Sequence, residues 1–161
     1  MNNREETAVP TAATKGSWDQ SRSTGTGDYS LAYALMRAML GVNIAMHGIS
    51  RILMGVGVFA AGIEKQFAAT VLPHFAVATF ANVLPWAEAS IGLLILFGVA
   101  TRYALVAGAL LMIVLTFGSN LHQDWQVAGL QLIYAIAYAL LIALHKYNAF
   151  SLDQLLFTKQ G

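Results

Sequence analysis

The chain has 161 residues, 57% of them hydrophobic and only 11% charged, with a mean hydropathy of +0.60; this composition belongs to membrane proteins and excludes an ordinary soluble domain. A formal net charge of +1 argues against a nucleic-acid partner, which would call for a strong basic excess. Cysteine is absent, which removes thiolate catalysis, disulfide exchange and Cys-ligated clusters together.

Residues 1–27, MNNREETAVPTAATKGSWDQSRSTGTG, are rich in Thr, Ser and Gly and cannot bury enough apolar surface to fold alone. They lack the charged start, apolar core and small-residue cleavage site of a signal peptide. A retained polar tail is expected, lying along a partner or a membrane surface with Trp18 as its anchor. Residues 28–161 then have the length for one domain of four spanning helices, each of about 20 apolar residues. No separate soluble catalytic domain is expected within this length.

The first span is expected over Asp28–Gly55, DYSLAYALMRAMLGVNIAMHGISRILMG, which is apolar yet carries Arg37, Asn43, His47 and Arg51. Ionisable groups at membrane depth are costly and mark functional or structural sites. At about 100° per residue, Arg37, His47 and Arg51 fall within roughly 80° of one another, with Asn43 one turn before His47. Gly41, Gly48 and Gly55 recur at sevens near the same side, so a second helix can approach there. Val56–Ala76 follows. Phe59, Ile63, Phe67 and Val71 are spaced by fours, with Glu64, Lys65 and Gln66 on another side. That pattern predicts an amphipathic helix in the membrane interface, ended by Pro73.

The second span is expected over Thr79–Ala100, with Glu88 about 14 Å from its start. Tyr103–Gly118 makes the third span and Val127–Leu144 the fourth, with the polar loop SNLHQDWQ between them. A short amphipathic tail, FSLDQLLF, closes the chain. Arg4, Lys15, Arg22, Arg102, Lys146 and Lys159 fall on the side of the termini, against Arg51 and Lys65 on the other. By the positive-inside rule both termini are cytoplasmic, and the expected architecture is an all-α, integral membrane four-helix bundle.

This orientation gathers His47, Arg51, Glu88, His122 and Gln131 in the outer half. A bare carboxylate at the depth of Glu88 would be neutralised or paired, and Arg51 or His47 is its expected partner. The same pair read as structure fixes helix register. Arg37, alone at the cytoplasmic end, is expected to snorkel. No HxxxH or ExxH spacing occurs, so no metal or haem site is expected. A quinone head group fits better: it needs hydrogen-bond donors in a flat apolar slot, which His47, Glu88, Gln131 and Tyr134 can supply, with Trp86 or Trp125 for stacking.

LMRAMLGVNIAMHGISRI, PWAEASIGLLILFGVATRYALVAGALLM and HQDWQVAGLQLIYAIAYALLIAL, within residues 30–153, resemble the DoxX family of small four-helix bacterial membrane proteins. The resemblance rests on Arg37, the His47-Gly48 pair followed by Arg51 where the family more often has lysine, and Glu88. It implies residence in the bacterial cytoplasmic membrane and kinship with the membrane subunit of thiosulfate:quinone oxidoreductase. With no cysteine to carry sulfur, thiosulfate chemistry is not expected here. Two functions follow as expectations. One is a subunit of a redox-linked complex that binds a quinone or small anion. The other is a non-catalytic accessory subunit that contacts membrane partners through residues 1–27 and the amphipathic segments. A transporter ranks below both, because no inverted repeat is visible.

Overall fold

In hydrocarbon every backbone N–H and C=O must be satisfied within the chain, which leaves an apolar single chain of this kind to helices. The computed structural model describes residues 15–157, with side chains over 26–155, and no strand occurs among them. The helices are α1 (Lys15–Met54), α2 (Val56–Phe67), α3 (His74–Phe97), α4 (Thr101–Leu121), α5 (Trp125–Ala143) and α6 (Leu152–Phe157), with a 3-10 turn at His145–Tyr147 before α6. By length and composition α3, α4 and α5 can each cross a membrane. The first helix qualifies only together with α2, across a bend of 101°.

Several boundaries differ from the sequence expectation. α1 begins at Lys15 rather than Asp28, because extending an established helix costs far less than nucleating one. Residues 1–14, the Trp18 side chain and Lys159 lie outside the described residues. α2 stops at Phe67, and Pro73 does not end it. Pro73 instead precedes the first turn of α3, where a missing N–H costs nothing, so this helix starts at His74 and not at Thr79. Gly55 does not join the glycine packing face. It adopts φ 104°, a conformation that L side chains avoid, and it forms the corner between α1 and α2.

α1 packs chiefly on α3, and α4 on α5, with α3 also touching α2 and α4. The α1–α3 seam is made of small residues. A Cβ on Gly41 would lie 2.6 Å from the Leu96 nitrogen, and one on Gly48 or Gly92 would overlap the backbone of Ala89 or Ala45. Tyr33, Leu40 and Ile44 of α1 meet Leu105 and Met112 of α4 and Tyr138 and Leu141 of α5 in the buried core. Tyr138 is fully buried against Gly108, while Leu110, Ile113, Ile133 and Ile136 face outward.

Arg37 does not snorkel. It is 5% exposed, and its guanidinium donates to the carbonyls of Ile95 (2.6 Å), Leu96 (2.8 Å) and Phe150 (2.5 Å). These carbonyls belong to the last turn of α3 and to the segment before α6, so one side chain ties three parts of the chain. Asp153 completes the knot. Its carboxylate accepts from the Ala100 N–H (2.7 Å), the Thr101 N–H (2.8 Å) and the Thr101 hydroxyl (2.8 Å), capping α4. Thr101 and Asn148 are buried beside it, joined at 3.2 Å. Burial alone would raise the Asp153 pKa, but the hydrogen bonds from Thr101 and Ala100, with the charge of nearby His145, hold it below the usual carboxylate range.

Two outcomes follow from this packing. Gly92→Leu should destabilise the protein by on the order of 3 kcal/mol in detergent unfolding, because the Ala45 backbone must move away. Gly129→Ala, where a Cβ meets open space, should leave stability unchanged or slightly raised. For Asp153, folding lowers the pKa, so its contribution is fully present above the ordinary value of 3.8 and is lost as pH falls through the lower folded value. Asp153→Asn should therefore unfold more easily at neutral pH and show a flatter stability profile below pH 4 than wild type, read as melting temperature against pH.

Candidate functional site

At the opposite end of α1 from the Arg37 knot, the helices separate around a cavity of about 390 Å³. Its walls come from the end of α1, from α2, from the first half of α3, and from the facing ends of α4 and α5. The lining is mainly apolar, with Phe59, Phe67, Phe80 and Phe117 supplying flat surface. Polar residues in the lining are Arg51 of α1, Gln66 of α2, and Ser119, His122, Asp124 and Gln131 around the α4–α5 connection.

Phe59, Ile63 and Phe67 all line the cavity, so the apolar stripe of α2 covers a protein interior rather than resting only on lipid. The α1–α2 corner at Gly55 makes this possible by turning α2 across the end of the bundle. Val71, the fourth residue of the predicted stripe, lies beyond the helix end and is 89% exposed.

Arg51 forms an ion pair with Glu88, whose side chain is only 4% exposed. The α1–α3 seam creates this meeting, since Gly48, one turn before Arg51, sits against Pro85 and Ala89. Because α3 starts at His74, Glu88 lies about 20 Å from the helix start, deeper than the sequence suggests. A carboxylate at that position needs a counter-charge, and Arg51 supplies it. The Arg51 guanidinium also lies 4.7 Å from the centre of the Phe59 ring, in cation–π contact.

His122 bonds through Nε2 to the Gln66 carbonyl at 2.5 Å. Since a carbonyl only accepts, Nε2 carries the hydrogen, and Nδ1 is left as the acceptor of the neutral ring. The ring also meets Phe67 edge-on, with centroids 5.2 Å apart. Together these contacts pin the α4–α5 loop to the end of α2. Gln131 donates to the Ser119 hydroxyl at 3.1 Å, while its Oε1 is buried without a partner among the described residues. Asp124 caps α5 by accepting from the Val127 N–H at 3.1 Å.

Arg51, His122 and Gln131 are therefore brought to one cavity, with Glu88 directly behind Arg51. His47 and Asn43 are not. Both are exposed, because the packed face of α1 runs through Tyr33, Arg37, Leu40, Gly41, Ile44 and Gly48, and these two residues sit on its shoulder. Tyr134 is half-buried against the core cluster and does not line the cavity. Trp86 and Trp125 are 56% and 68% exposed and face away from it, so stacking surface comes from the four phenylalanines. Ser119 and Asp124 escaped the sequence reading as site residues, although their loop had been singled out. Among the described residues no group of three or more His, Asp or Glu side chains gathers as a metal site would require.

Long apolar helices enclosing a polar-tipped cavity define an integral membrane protein. The DoxX family model matches residues 32–120, and the chain belongs to the DoxX family. That match spans α1 to α4 and stops before α5, so Gln131 and Asp153 lie outside it. No curated protein and no solved structure matches the chain.

The ion pair can be tested by a double-mutant cycle. Arg51→Met alone should cost about 3–5 kcal/mol by stranding a buried carboxylate. Arg51→Met combined with Glu88→Leu should recover most of that loss, measured by unfolding in mixed detergent micelles.

Proposed function

We propose that the chain is a membrane subunit of a redox-linked complex in the bacterial cytoplasmic membrane and that its cavity binds a quinone. The observation that carries this reading is the cavity itself. It has a volume suited to a head group, four phenylalanines in its lining, and a few polar residues from α1, α2 and the α4–α5 end among mainly apolar ones. In this reading Arg51, Ser119 and Gln131 orient the ring oxygens, and Phe59 and Phe67 cover its faces. A bound quinone would supply two-electron redox chemistry, and these residues bind it and exclude water. The Arg51 charge is already balanced by Glu88, which favours a neutral ligand over a small anion.

α1 with α2, and then α3, α4 and α5, make four crossings in this reading and bring both termini to one side. The distribution of Lys and Arg supports the cytoplasm as that side. Asn43 and His47, exposed on a spanning helix, support a neighbouring subunit along α1, since polar groups facing hydrocarbon are costly. The same observation favours the second reading, a non-catalytic accessory subunit held in a larger complex.

One experiment separates the two. Purified protein in nanodiscs should bind a short-chain benzoquinone in equilibrium dialysis. Ala76→Trp, at an exposed position lining the cavity, should abolish that binding while insertion and melting temperature stay unchanged. If wild-type protein binds no quinone, the accessory reading stands instead.

A further inference from the structure

The outward face of α1 carries a repeat that packing inside the chain leaves unused. Met36, Met39, Asn43, Met46, Ser50 and Leu53 follow one another at alternating steps of three and four residues, the spacing of a seam between two helices that cross at about 20°. All but the half-buried Met36 are exposed, and they lie on the far side of the helix from Gly41, Ala45 and Gly48, which meet α3. Asn43 stands about 16 Å from the end of α1, deep in the span. Exposed Asn82 of α3 bonds the Ala78 carbonyl and Ser50 the His47 carbonyl, each within its own helix, whereas Asn43 and His47 have no side-chain partner among the described residues. A carboxamide facing hydrocarbon with its donors and acceptor unused is costly. The outward residues Leu110, Ile113, Ile133 and Ile136 of α4 and α5 impose no such cost.

We propose that this face binds the same face of a second copy of the chain, in a parallel pair about a two-fold axis along the membrane normal, with the two Asn43 carboxamides hydrogen-bonded to each other. The proposal rests on the reading that α1 has a neighbouring subunit, and not on the quinone. Copies inserted with one orientation bring each seam residue opposite itself at the same depth. Such a meeting requires residues that accept their own kind. The carboxamide does, since it donates and accepts at once, and a single Asn in an apolar seam fixes register and oligomeric state. The three methionines are unbranched and adapt to one another across the axis. A charge on the seam would face its own copy and oppose the pair. The two arginines of α1 are instead turned into the chain's own bundle, Arg37 onto the carbonyls that end α3 and Arg51 onto Glu88. An unrelated subunit could meet a charge here with a complement of its own, so self-compatibility along the whole seam favours a second copy.

The chain has no cysteine, so each single-cysteine variant carries one thiol and reports only on its own position. In native membranes, before extraction, oxidation with copper-phenanthroline should convert Met39→Cys and Met46→Cys into disulfide-linked dimers of the chain. Ile113→Cys on α4 and Ile133→Cys on α5, also outward, should stay monomeric. Affinity is then read on the full chain in lipid vesicles, as energy transfer between copies labelled with donor or acceptor at the N-terminus and diluted with lipid. Asn43→Leu should raise the dissociation constant about tenfold, and Asn43→Gln, which keeps the amide, should stay within about threefold of wild type. The melting temperature of the monomer should not change in either variant, because Asn43 bonds no described residue of its own chain. Equal cross-linking at all four positions, or an Asn43→Leu affinity equal to that of wild type, overturns the proposal. An adduct of Met39→Cys or Met46→Cys with a different polypeptide in place of the dimer also overturns it and leaves the reading of α1 as a subunit interface standing. No adduct at either position overturns both.

Discussion

The close approach of α1 to α3 is the constraint on which the remaining structure depends. Glycine at 41, 48 and 92 lets the two backbones meet without intervening side chains. In a membrane such contact is a main source of helix association, because lipid tails are as apolar as the helices they would replace. The seam also positions both arginines of α1. Near one end Arg37 reaches the carbonyls that finish α3, and near the other Arg51 reaches Glu88 in its middle. Wider spacing would strand two guanidinium groups and a carboxylate in a medium where each is expensive. Packing and electrostatics are thus one requirement, with small residues as the condition for both.

The two arginines are satisfied in different ways. Among the described residues no carboxylate bonds to Arg37, which is held by three carbonyl dipoles, two of them in the last turn of α3. With Asp153 capping α4 next to it, that end of the bundle is closed by the chain's own C-terminal segment. Arg51 is neutralised by charge, is one-quarter exposed at its side chain, and faces a cavity. One end of the bundle is built for closure, and the other leaves room between its helices.

Much of this was legible in the sequence, and the misses have physical causes. Apolar length identified α3, α4 and α5, and the depth of Glu88 called for a cation, which Arg51 supplies. The spacing of Gly41 and Gly48 marked the packing seam, but it also drew in Gly55, whose positive φ makes it a corner. A helical wheel places His47 near Arg51 without saying where the centre of the packed face falls. Tyr33, Leu40 and Ile44 shift that centre, and His47 is left outside. The knot around Arg37 was illegible for another reason. Arg37 and Phe150 are 113 positions apart, and carbonyl acceptors carry no sequence signature. Asp153 likewise looked like one charge in a short amphipathic tail, and only the fold brings it to the first turn of α4.

The second helix shows how one pattern serves two environments. An amphipathic stripe of Phe59, Ile63 and Phe67 reads as a surface for lipid, and a helix lying at the interface has that use by default. Gly55 turns this stripe inward over the gap between α3 and α4, and the bond from His122 to the Gln66 carbonyl holds its far end. The helix thereby becomes a wall of the cavity, attached at one end through a residue without a Cβ and at the other through a loop histidine. Contacts at these two ends hold α2 in place, and Glu64, which does not line the cavity, pairs with His74 at 3.2 Å at the start of α3.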